Sequence, residues 1–160
     1  MKKYLNKLNA GMFICDKFET GNEEPLKNIC GIKNKLILDK NNKTSFSFVC
    51  DLSFIEFEIP EQGGDLSFRF YIRTLGGEQS YIIPFLVTEM HLVEGNEGVM
   101  TRSLPMMIEV PDFEFPRTGE YAIELYYYFG KIDHDIEKSN RGYYRIPDNF
   151  VNALMFHVNS

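Results

Sequence analysis

The sequence predicts an all-β fold, an antiparallel β-sandwich of eight or nine short strands. Three observations predict it. The 160-residue chain holds fourteen Phe and nine Tyr but no Trp, a content that suits pleated, half-buried strands. Its apolar residues alternate with polar ones along much of its length, which is the period of a strand with one buried face. Clusters of Gly, Pro, Asn and Asp separate those alternating runs. At this length a single domain with a sizeable core is expected.

The clearest element lies in residues 115–130. Pro116 to Gly119 has turn chemistry, because proline fixes φ and glycine permits a positive one. From Glu120 onward the chain alternates. Tyr121, Ile123, Leu125, Tyr127 and Phe129 share one face, and Ala122, Glu124, Tyr126 and Tyr128 share the other with Glu120. Tyr121 stands where a tyrosine near a strand start ties down the preceding corner in many β-sandwiches.

The rest of the chain is read in order. Residues 1–10 read as a lysine-rich arm or short helix, and residues 11–18 as the first strand. A turn cluster at 20–25 leads to a second strand over 26–38, where Gly31 implies a bulge or a close backbone approach. Residues 39–43 are a turn. Residues 44–59 alternate, but the phase changes: Phe46, Phe48, Cys50, Leu52 and Phe54 share one parity, while Ile55, Phe57 and Ile59 share the other. A one-residue slip would turn every later side chain to the wrong face, so a bulge or break is expected near Phe54 and Ile55. In residues 65–73, Leu66, Phe68, Phe70 and Ile72 point inward, and Ser67, Arg69, Tyr71 and Arg73 point outward. Gly76-Gly77 is a turn. Pro84, within the strand of residues 79–93, implies an edge or a break. Residues 94–98 read as a hairpin turn, and Pro105 and Pro111 frame the next apolar segment. Residues 131–142 read as a charged loop or insertion, and 143–147 as a short strand. Residues 150–158 fit both a strand and a helix.

Composition bounds the function. The net charge of −6 argues against general nucleic-acid binding. The charge is uneven: residues 1–43 hold nine lysines against five acids, while residues 44–160 hold eight basic and eighteen acidic residues. Such asymmetry can orient self-association or a partner, the plain alternative being a solvated surface. Cys15, Cys30 and Cys50 are odd in number and form no C-x-x-C, so free buried thiols of a reducing cytosol are expected, with one Cys15–Cys30 bridge as the alternative. There is no apolar run of signal-peptide length and no stretch of about 20 apolar residues, so a cytoplasmic protein without membrane contact is expected.

Several short motifs carry a resemblance. An early F-I-C-D at residues 13–16, N-I-C-G-I at 28–32, a strand of alternating aromatics and T-G-E-Y-A-I-E-L at 118–125 resemble a family of small, uncharacterised bacterial β-sandwich proteins. The resemblance covers about residues 11–130, and the charged insertion and the C-terminal segment depart from it. It implies a sandwich and a bacterial setting, and it brings no activity to named residues; a phage origin is the alternative setting.

Candidate chemistry is sparse. His134 lies between two acids, but adjacent side chains do not easily converge on one ion, so no metal is expected. His91 and His157 sit in apolar segments and read as packed or interface residues. There is no G-x-S-x-G, P-loop or G-x-G-x-x-G, and no cysteine has a visible polarising partner. No catalytic residue and no cofactor is expected. The distinctive feature is a set of aromatic and cationic side chains on outward faces: Arg69, Tyr71, Arg73, Tyr126 and Tyr128. Tyr and Arg suit interface cores, and Arg forks suit phosphate or carboxylate. The alternative is that a later segment covers this face, or that these residues are cross-strand pairs. The reading is a non-catalytic binding or assembly module with a protein partner or itself. A binder of a small, anionic, nucleotide-like ligand is the first alternative, and a hydrolase with an unrecognised site the second.

Overall fold

A computed structural model describes residues 7–23, 28–92 and 98–160. Alternation produces ten strands: β1 (Lys7–Cys15), β2 (Lys17–Glu19), β3 (Asn28–Cys30), β4 (Lys35–Ile37), β5 (Lys43–Ile59), β6 (Gly64–Leu75), β7 (Ile82–Leu92), β8 (Gly98–Glu114), β9 (Gly119–Phe129) and β10 (Phe150–Asn159). A short helix, α1 (His134–Ser139), and a 3-10 turn, Pro147–Asn149, precede β10. One sheet has the order β1-β5-β8 and the other β4-β10-β9-β6-β7, with β2 and β3 forming a small pair. The all-β expectation holds, with two adjustments. The described residues form ten strands rather than eight or nine, and β4 runs parallel to β10, so the larger sheet is mixed.

The inner faces of the two sheets meet in an aromatic core. Phe48 packs edge-on against Phe70 with ring centroids 5.6 Å apart, and Phe54 against Phe68 at 5.8 Å. The phase change in β5 is a register shift between Phe54 and Phe57 that keeps both rings in the core and leaves Ile55 exposed. Pro84 does not break β7. It lies on the edge strand, where the ladder slips between Leu86 and Pro84 and Phe85 takes up the extra residue. The Tyr121 hydroxyl donates to the Arg117 carbonyl at 2.5 Å and accepts from the Arg117 amide at 3.2 Å, tying the corner before β9.

Other expectations are corrected. The second strand of residues 26–38 is two strands separated by a corner at Gly31. Its φ of +69° is left-handed, and a Cβ there would lie 2.2 Å from an Asp16 carboxylate oxygen. Residues 143–147 form turns rather than a strand, and the charged segment before them holds α1. The C-terminal ambiguity resolves to strand, because Phe156 and Val158 enter the core while β9 and β4 pair with β10 on either side. β1 already begins at Lys7, inside the expected arm. Residues 1–6 of that arm, residues 24–25 of the 20–25 turn, residues 26–27 of the expected second strand, and residues 93–97 around the expected hairpin turn lie outside the described residues. Among the described residues no helix is long and apolar enough to cross a membrane.

The two flanks of the sandwich differ. On one, β1 meets β10, and the Asn152 side-chain amide donates to the Ala10 carbonyl at 2.6 Å. On the other, the edge strands β7 and β8 approach each other through side chains, with Phe85 and Phe113 centroids 6.0 Å apart.

Candidate functional site

The five outward residues lie together on the outer face of β6 and β9. Cross-strand register places Arg69 opposite Tyr126, Tyr71 opposite Glu124, and Ser67 opposite Tyr128. Residues 131–149 fold back over this face. Asp133 starts the cap: its carboxylate accepts from the amides of Asp135 and Ile136, opening α1 as an N-cap. The Asp133 amide in turn donates to the Tyr144 hydroxyl at 2.7 Å. Ile132 and Tyr144 pack with Tyr71 and Tyr126 in a second, smaller apolar cluster.

Glu137 of α1 reaches down to β6. Its Oε2 accepts from Arg69 Nε at 2.9 Å and from the Tyr71 hydroxyl at 2.7 Å. Arg69 Nη2 lies 2.8 Å from Oε1, within ion-pair range, although no donor is well aimed at that oxygen. Arg69 and Glu137 are 6% and 4% exposed, and the guanidinium sits 5.3 Å from the centre of the Tyr71 ring. Burial, followed by the hydrogen bond to Glu137, pushes the Tyr71 phenol well above its usual range.

A second carboxylate serves two arginines. Glu124 Oε1 accepts from Arg73 Nε and from Arg145 Nε, each at 3.1 Å, and Arg145 Nη2 lies 2.9 Å away within ion-pair range. Tyr126 donates weakly to Oε2 at 3.4 Å, and burial raises its phenol first, the Glu124 charge second. Tyr128 stacks edge-on with Tyr144 at 4.8 Å.

The structure therefore gathers Arg69, Tyr71, Arg73, Tyr126 and Tyr128 on one face but engages them internally. Arg69, Tyr71 and Tyr126 are buried under the cap, while Arg73 and Tyr128 stay partly open. Alternation set Glu124 on the same face as Tyr126 and Tyr128, and there it is buried between arginines. Sequence reasoning missed Glu137, Tyr144 and Arg145. Two arginines facing outward from a sheet strand call for carboxylates, and that requirement was the available signal.

Other candidates resolve simply. The three cysteines are free, so the Cys15–Cys30 bridge is not formed. Burial, then the neighbouring Asp51, pushes the Cys50 thiol up to about 12, and burial, then Asp16, raises Cys15, so neither is poised as a thiolate. His91 is exposed and His157 half-buried, and they pair with Asp65 and Glu120. Among the described residues no His, Cys, Asp and Glu side chains gather as a metal site. A shallow depression of about 470 Å³ lies beside β4, between Lys35, Glu120, Met155 and His157.

No family model matches the chain, and no curated protein does. Among solved structures, a β-glucosidase from Listeria innocua is similar over 98% of this chain and 16% of that one, with a TM-score of 0.45 and 7% identity. The same enzyme in complex with glucose gives a TM-score of 0.43 and 8% identity over the same shares. The chain thus spans about 16% of the length of these neighbours. At these scores the likeness carries no argument, and the glucosidase activity belongs to that enzyme.

Proposed function

We propose that this protein is a non-catalytic β-sandwich module that binds protein, its own copies included, in the cytoplasm of a bacterium or of a phage-infected host. The observation that carries this reading is the open flank between β7 and β8. There, side chains of the inner faces stay half-buried at the rim of the core, among them Ile83, Phe85, Met90, Leu104, Met106 and Ile108. Apolar side chains left half-exposed along two edge strands suit a protein partner. Pro84 on β7, with Pro105 and Pro111 on β8, withholds amide donors along both edges. A partner therefore docks on side chains rather than by adding a strand.

One observation favours a second reading. Arg73 and Arg145 share a single carboxylate and are both partly exposed, leaving one positive charge in excess. A small anion could complete that set. Native mass spectrometry of gently purified protein tests both readings. Species at multiples of 18.6 kDa, or with a bound protein, that Met106→Glu removes support the module. A bare chain counts against it. A chain carrying a small adduct that Arg73→Gln abolishes supports the anion reading instead.

A further inference from the structure

We infer that Arg73 and Arg145 form the head of a two-part site for a phosphate monoester with an apolar body, the phosphate on the guanidinium groups and the body along the outward face of β10. This rests on the anion reading and names the class of ligand. The head is read from its donors. Arg73 meets Glu124 through Nε, and among the described residues its two Nη groups have no hydrogen-bond partner. Arg145 turns Nε and Nη2 to the same oxygen, which leaves its Nη1. The two side chains are 31% and 23% exposed, so an anion from solvent reaches them. A phosphate monoester brings three acceptor oxygens and up to about two negative charges, and so engages more of these forks than a carboxylate does.

The excess charge survives a count of the neighbours. Beside the cap, the outer face of β4, β10, β9 and β6 carries Lys35, Arg73 and Arg145 against Glu120 and Glu124, with His157 paired to Glu120. The cap is balanced, since Lys131, Lys138 and Arg141 stand against Asp133, Asp135 and Asp148, and Arg69 against Glu137. Asp39 and Lys40 cancel beyond β4, as do Glu78 and Arg117 at the turn after β6. Asp65, Glu89 and His91 lie at the far end of β6 and β7.

The place of the body follows from register. Glu124 faces Ala153 across the β9–β10 ladder, and Ala122 faces Met155 on one side and Arg73 on the other. Adjacent strands are about 4.8 Å apart, so Ala153 and Met155 are the outward residues of β10 nearest the arginine pair. Ala153 is half-buried and Met155 is 68% exposed. Exposed Phe150 packs edge-on against Tyr126, over whose ring the Arg145 guanidinium sits at 5.9 Å. Past Met155 opens the depression of about 470 Å³ that runs to Lys35 and His157, so a body on β10 has room. An aromatic group tethered to the phosphate meets a thioether and apolar side chains there instead of water.

Isothermal titration calorimetry with inorganic phosphate and with phenyl phosphate, at one fixed ionic strength, tests this. The wild type is expected to bind both, and phenyl phosphate about fivefold more tightly, as burial of part of one ring implies. Arg73→Gln is expected to weaken both by about tenfold through loss of a charge-assisted fork. Met155→Ser, at an exposed position, is expected to erase the preference and leave inorganic phosphate unchanged. If Arg73→Gln does not fold, Arg73→Lys keeps the charge and loses the fork, and weaker binding of both probes is again expected. Phenyl phosphate bound no better than inorganic phosphate, or a preference that survives Met155→Ser, would overturn the two-part site and leave the anion reading in place. Phosphate binding that no Arg73 variant weakens, or binding of neither probe, would overturn both.

Discussion

Replacing Glu137 by Gln leaves Arg69 charged, buried and without a carboxylate. Removing one partner of a buried ion pair costs about 3–5 kcal/mol, and urea unfolding of Glu137→Gln should show a loss of that order. The double variant Arg69→Met with Glu137→Leu should recover most of it, because the desolvation of both charges disappears together. Tyr121→Phe should cost about 1–2 kcal/mol by the same measurement, since it removes the hydroxyl that donates to the Arg117 carbonyl and accepts from the Arg117 amide. Alkaline pH acts through the buried phenols. Tyr71, Tyr121, Tyr126 and Tyr144 all have folded values raised chiefly by burial. Above the usual tyrosine value, near 10, the unfolded chain then holds fewer protons than the folded one. Stability should be constant below that pH and fall above it. A 295 nm titration should show part of the tyrosine signal appearing only with unfolding. Tyr121 was legible in the sequence because its corner is local, four residues from its acceptor. Glu137 was not, because Arg69 lies 68 residues away and nothing in the charged segment marks which acid turns inward.

α1 is held to the sheet by side chains rather than by its own strength. Six residues are too few for an independently stable helix, so its order depends on Glu137, Ile132 and Tyr144. Hydrogen exchange should find the amides of α1 faster than those of β6 and β9. Glu137→Gln should raise exchange in the cap at least tenfold while leaving β5 unchanged. At this scale periodicity located the β5 irregularity and proline chemistry narrowed Pro84 to an edge or a break; the fold takes a bulge in β5 and the edge at Pro84. The final strand was not legible in this way. Its apolar residues fit two periods, and the choice is made by β9 and β4, which are outside the segment itself. In residues 26–38 Gly31 signalled a close backbone approach, but not that its left-handed corner divides the segment into two strands. Gly31→Ala should be destabilising by more than about 1 kcal/mol in thermal unfolding, since it adds a clash with Asp16 to an unfavourable φ.

Across the whole molecule, alternation gave the sandwich class, whereas strand order was illegible. Which strands become neighbours is settled by contacts distant in sequence, and local pattern carries little of that information. The parallel pairing of β4 with β10 shows the cost of that gap most directly, because the two strands stand far apart in the strand series. It also bears on how the protein is made. β10 is the last of the ten strands to leave a ribosome, yet it occupies an interior place between β9 and β4. While translation is under way, β4 lacks its neighbour, Leu125 and Ile123 lack the strand that pairs beside them, and Asn152 has not yet reached Ala10. Vectorial synthesis therefore leaves β4 without its sheet neighbour, and β9 with one unpaired side, until β10 has emerged.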